Sequence, residues 1–157
     1  MMMSASNCLP VAFAFLVATA SPSASTTSGN SAIVARAGAT AILIWDAFGF
    51  LKDNQTRDLS QQAAEREVVS AAFGALAQKL PNLANSKTVR LLVLVQKPAT
   101  GDNLIYRDTT FNETKTLLTM ETKRSDALKH RTEWMRALAA GKVPPGLKIH
   151  WDNHLSP

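Results

Sequence analysis

Cysteine is nearly missing from this chain: its 157 residues hold one, Cys8. If the opening segment is removed, none remains, which excludes disulfides, thiol catalysis, iron–sulfur ligation and cysteine-type zinc sites together. Cys8 also precedes the first apolar run, whereas a lipid-anchored cysteine would follow it, so anchoring through Cys8 is not expected. Glycine and proline are scarce at seven each, too few for a collagen-like or low-complexity protein. The chain has no Gly-x-Ser-x-Gly elbow, no Gly-rich loop ending in Gly-Lys-Ser/Thr and no Gly-x-Gly-x-x-Gly fingerprint. The hydrolase and nucleotide-binding routes those motifs mark therefore lack their residues. Acids are absent before Asp46, and Arg36 is the only base before Lys52.

What is present begins with an uncharged apolar run, Leu9 to Ala20, followed by a stretch rich in Ser, Thr and Pro. A helix of that length spans roughly 18 Å, short of a hydrocarbon core of about 30 Å. A membrane span is disfavoured, and a secretory apolar core fits. Ala18-Thr19-Ala20 offers small residues where a signal peptidase reads, so cleavage is expected after Ala20 or within Ser21 to Ser25. Met1 to Cys8 lacks the usual Lys or Arg, however, and the same acid-poor segment with Arg36 also fits an organellar transit peptide. The expected organisation is a targeting segment over 1–37 and a single domain over 38–157. The compartment is secreted or periplasmic, with a plastid or mitochondrion as the alternative. With 46% hydrophobic residues, a domain of this size can form its core without disulfides.

From Gly38 the pattern alternates short apolar runs with helical stretches. Ala39 to Leu51 reads as a buried strand by its β-branched and aromatic content, although a helix from near Ser31 also accounts for it. Lys52 to Arg57 is turn-like. Ser60 to Leu80 is the clearest helix: Asp58 with Gln61 forms a capping box, or Ser60 caps instead, and Val69, Phe73, Leu76 and Leu80 make one stripe. Pro81 ends it. Thr88 to Gln96 is the best strand, and its apolar run suggests burial on both faces, as in a central strand. Leu104 to Thr110 is expected to form a hairpin with it across Pro98 to Asn103. Thr114 to Thr122 is a further hairpin strand by its threonines, or part of a long helix capped by Thr110 and Glu113. Ser125 to Ala140 is helical on either account, with Leu128, Met135 and Leu138 on one face and Gly141 as the stop. Val143 to Gly146 is a rigid connector and Leu147 to Trp151 a short closing strand. The order predicts an α+β, ferredoxin-like βαββαβ fold, an antiparallel sheet with both helices on one face and room for one extra hairpin strand. Such a fold carries almost no functional information.

Three features could carry chemistry. On a strand, His150, Asp152 and His154 would project to one side, a valid ligand set for zinc or a similar ion; the plainer account is a frayed C-terminal tail. Asp46 is a carboxylate in an apolar run, where burial could make it a general acid or base; Asp108 on a hairpin is a weaker candidate. Between Thr114 and His150 lie eight basic residues against three acids, an excess equal to the whole net charge of +5, centred on the second helix. Lys123, Arg124, Lys129, Arg131 and Arg136 could meet an acidic protein or an anionic surface, unless they form only a solvated face. No aromatic-studded strand resembles an RNA-reading platform, so nucleic acid is not favoured. Asn54-Gln55-Thr56 and Asn112-Glu113-Thr114 match the glycosylation pattern, which matters only on a eukaryotic secretory route.

The function expected from these features is a small exported, cofactor-free binding or accessory module contacting its partner through the basic second helix. One alternative is a metal-binding protein or hydrolytic enzyme using Asp46 or the His150, Asp152 and His154 cluster. Another is an organellar subunit whose Trp45, Phe48 and Phe50 pack against a partner chain.

Overall fold

A computed structural model describes residues 32–96, 104–106, 109–111 and 113–155. Burial alternates along two apolar segments, β2 (Thr40–Asp46) and β3 (Thr88–Val95). Ala41, Leu43 and Trp45 of the first and Val89, Leu91, Val93 and Val95 of the second are all buried, as the period of two requires of one covered face. β2 and β3 lie side by side in parallel, joined by the crossover helix α2 (Gln61–Lys79). β6 (Lys115–Lys123) pairs antiparallel with β3, and β7 (Lys148–Trp151) antiparallel with β6. β1 (Ala32–Ala37) forms a hairpin with β2 on the other edge, giving the order β1-β2-β3-β6-β7.

The class is therefore α+β, with a mixed five-stranded sheet and not the expected antiparallel one. The pairing also departs from a ferredoxin-like split βαβ, because no strand separates the two parallel ones. Thr114 to Thr122 is resolved in favour of strand, so no helix starts from Thr110 and Glu113. β3 is indeed the central strand, but only one of its faces is buried. Leu92 and Leu94 stand half-buried on the opposite face, beside Ile44 and Thr119 in one cross-strand row and Asp46 and Thr116 in the next. The strand expected to return from β3 pairs elsewhere: β4 (Leu104–Tyr106) and β5 (Thr109–Phe111) form their own two-stranded ribbon. β1 begins six residues before the expected domain start. Gly38, at φ 57, opens the two-residue turn between Ala37 and Thr40 in a conformation that side chains with a Cβ rarely adopt.

The strand expected over Ala39 to Leu51 stops at Asp46. Its Oδ1 accepts the amide of Phe48 at 3.0 Å, and the chain turns there into a short helix, α1 (Phe48–Asn54). α2 starts where Ser60 Oγ accepts the Ala63 amide at 3.2 Å, so Ser60 is the cap and Asp58 is not. Val69, Phe73, Leu76 and Leu80 are all buried, as their spacing predicts. Pro81 does end the helix, but the chain continues through a 3-10 turn over Leu80–Leu83. The Leu80 carbonyl accepts Arg124 Nε at 2.8 Å.

The second helical stretch is two helices, α3 (Arg124–Lys129) and α4 (Arg131–Ala139), interrupted at His130 with φ −107 and ψ 16. Their buried positions are Ala127, Trp134 and Leu138, while Leu128 and Met135 lie at the edge of the core. Trp134 meets Phe73 of α2 with ring centroids 5.9 Å apart, and the two helices pack together over the covered face of the sheet. α4 ends in a Schellman motif: Lys142 N donates to Ala137 O at 2.8 Å and Gly141 N to Leu138 O at 2.9 Å, with Gly141 at φ 76. Among the described residues no helix is long and apolar enough to cross a membrane.

Two substitutions should separate the cap from the seam in urea denaturation. Ser60→Ala should cost about 1 kcal/mol. Phe73→Ala, which opens a cavity beside Trp134, should cost about 3–5 kcal/mol.

Candidate functional site

The parallel β2–β3 pair and the antiparallel β3–β6 pair bring Thr88 opposite Lys123 at one end of the sheet. Two backbone bonds tie the corner together: Arg124 N donates to Lys87 O at 2.9 Å, and Lys87 N to Ala39 O at 2.8 Å. The result is a shallow hollow of about 530 Å³ lined by Ser86, Lys87, Thr88, Lys123, Arg124 and Ser125. Three lining residues are cations, three carry hydroxyls and none is a carboxylate. Lys87 and Lys123 are exposed and take part in no ion pair among the described residues. Arg124 is partly engaged, since its Nε holds the Leu80 carbonyl. An arrangement of this kind can hold an oxyanion through charge and hydroxyl donors together.

Of the five basic residues singled out in the sequence, Lys123 and Arg124 reach this corner. Lys129, Arg131 and Arg136 are exposed on α3 and α4. The break at His130 removes the continuous helix that would have set Lys129 and Arg136 on one stripe. Lys87 was not among the candidates. It lies far from Lys123 in the chain, and only strand pairing brings the two together, so no local pattern could have found it.

The histidine cluster does not form. β7 ends at Trp151, so the alternation that would align all three side chains stops before His154. His150 Nε2 lies 3.7 Å from Asp152 Oδ1 at an exposed position. His154 instead stacks on Trp151 and places Nδ1 3.0 Å from Glu65 Oε1 on α2. Among the described residues no three His, Cys, Asp or Glu side chains are placed to hold a metal ion. Nor is the segment a frayed tail as far as it is described. Asn153 Nδ2 donates to Thr116 O at 2.7 Å, Leu155 N donates to Glu65 Oε1 at 3.1 Å, and Leu155 is buried.

Asp46 has a structural task. The oxygen that accepts Phe48 N also accepts Gln96 N at 3.2 Å, so one carboxylate closes the ends of β2 and β3. Asp108 and Asn112 lie outside the described residues. Asn54, the other glycosylation candidate, donates its Nδ2 to Phe50 O and accepts Arg57 Nη1 through Oδ1. Of the aromatic trio, Trp45 is buried against Phe50, while Phe48 and Phe50 are half-buried and pack against the core. Comparison with protein-family models, with curated proteins and with solved structures finds no match to this chain.

If Asp46 serves these two amides, one part-buried and one exposed, Asp46→Ala should lower unfolding stability by about 1 kcal/mol, the usual net worth of such a hydrogen bond. Asp46→Asn, which keeps the accepting oxygen, should lose clearly less in the same chemical denaturation.

Proposed function

We propose that this chain is an exported, cofactor-free binding module that docks through its basic corner onto a partner bearing oxyanions. The observation that carries the proposal is the makeup of the hollow: Lys87, Lys123 and Arg124 with three hydroxyl side chains and no lining carboxylate. Charge of one sign gathered in a concave surface raises the local concentration of opposite charge and speeds encounter. Export rests on the Leu9 to Ala20 run and the small residues of Ala18-Thr19-Ala20. Cleavage within Ser21 to Ser25 would also leave β1 intact, whereas a start near Ala37 would delete a strand paired with β2. The mass of the natural N-terminus decides between them, and a start beyond Ala37 would turn the proposal toward organelle import.

The corner is tested by retention of the full chain on a sulfonate resin. Three double variants carry the same change in charge: Lys87→Glu with Lys123→Glu, Lys129→Glu with Arg136→Glu, and Lys52→Glu with Lys79→Glu. The first pair should elute at clearly lower salt than the other two. Equal elution of all three would mean that only net charge matters and would remove the corner as a docking surface.

A further inference from the structure

A second concavity lies toward the other end of the strands, between the first turns of α2, the loop after α4 and strand β7. Its volume is about 400 Å³, within the ~300–1,000 Å³ of clefts that take small molecules. The apolar part of its lining includes Val69, Leu138, Val143, Ile149 and Trp151, from α2, α4, the loop after α4 and β7. Val69 and Leu138 belong to the buried core, and Ile149 and Trp151 are half-buried, so a ligand settling here would cover apolar surface that is still partly wet.

The cations lining the cleft are Arg66 and Lys142. Both are exposed, and neither takes part in an ion pair among the described residues. They come from separate elements and meet for a reason visible in the backbone. The Schellman bond from Lys142 N to Ala137 O fixes the loop, and Gly141 at φ 76 presents no side chain. A Cβ built on Gly141 would stand 3.4 Å from Cδ of Arg66, so the Arg66 stem lies along the bare glycine and reaches the loop that carries Lys142. The one acid in the lining is Glu65. Its Oε1 is already engaged by three partners, Gln61 Nε2 at 3.1 Å, Leu155 N at 3.1 Å and His154 Nδ1 at 3.0 Å. His154 in turn stacks on Trp151 at 5.3 Å, which holds the indole in the cleft wall.

We infer that this cleft binds a small amphipathic carboxylate, its head between Arg66 and Lys142 and its hydrocarbon body on Val69, Leu138, Ile149 and Trp151. The apolar residues of the lining offer a hydrocarbon body surface to cover that a wholly polar ion would leave unused. The two unpaired cations favour a negative head over a neutral one, and the planar guanidinium matches a carboxylate fork. Neither half of such a ligand is sufficient alone. The site shares no residue with the basic corner, so each stands or falls separately.

Octanoate is the probe, titrated into the full chain by calorimetry and by tryptophan fluorescence. The other two tryptophans are buried, so the change in emission reports chiefly on Trp151. Saturable one-to-one binding is expected, with octanol and acetate each weaker by about tenfold or more, since each lacks one of the two contributions. Arg66→Gln with Lys142→Gln, both at exposed positions, should weaken octanoate by about tenfold or more, while Lys87→Glu with Lys123→Glu should leave it unchanged. Octanol binding as tightly as octanoate, an unaffected Arg66 and Lys142 double variant, or no saturable signal at millimolar octanoate would each overturn the inference.

Discussion

The seam between α2 and α4 is the contact on which this molecule depends. A sheet covered on one face has a single place to bury its aliphatic residues, and here that place is closed by two helices meeting at Phe73 and Trp134. The crossover from β2 to β3 delivers α2 to that face. The link from β6 to β7 delivers α3 and α4 to the same side, beside it. The helical packing is assisted by small residues: Ala64, Ala72, Ala75 and Ala77 of α2 are buried, and Gly74 sits where a Cβ would lie 3.7 Å from Met135. Every polar feature described above is positioned by the ends of these elements, beyond the reach of the covered face.

This division explains which parts of the fold could be read from the sequence. Ser60 to Leu80 and Thr88 to Gln96 have a full period of pattern, a cap or a breaker at their ends, and local causes for both. Around Asp46 the neighbours Ile44, Trp45, Phe48 and Phe50 continue the apolar run, so composition shows no end to the strand. The turn there is made by the Asp46 side chain, which accepts two amides, one of them fifty residues away in sequence. Nothing in the stretch from Ser125 to Ala140 breaks a helix by composition, so the interruption at His130 has no local sign. The Ala, Val and Ile of β1 suit a targeting segment as well as a strand, although Gly38 marks the turn into β2. The antiparallel sheet was expected because short strands with hairpin-like links favour it. Whether β2 and β3 lie adjacent or separated is set by tertiary packing, which leaves no periodic trace.

The polar candidates divide along the same line. The basic run of the second helical stretch is divided between α3 and α4, on which Lys129, Arg131 and Arg136 stand exposed. Lys123 and Arg124 remain together because strand pairing fixes them beside Lys87. The histidines separate because β7 is four residues long, so alternation governs His150 and no longer governs His154. In each case the grouping expected from a regular element changes where that element stops.

The last described residues show how such an ending can organise the molecule. Beyond Trp151 the chain gives up strand geometry, yet Asp152 N and Asn153 N both donate to Leu117 O, and Leu155 is buried. Through Leu155 N and His154 Nδ1 the same segment engages Glu65 near the start of α2. The edge strand is thereby fastened to the crossover helix, and the carboxylate nearest the cleft is drawn into that fastening. Arg66, the next residue on α2, has no acid partner among the described residues and extends toward Lys142. The imbalance of charge at the cleft is thus a consequence of how the C-terminal segment is held. Removing Glu65 from its partners would loosen that segment and free the carboxylate to turn toward the two cations.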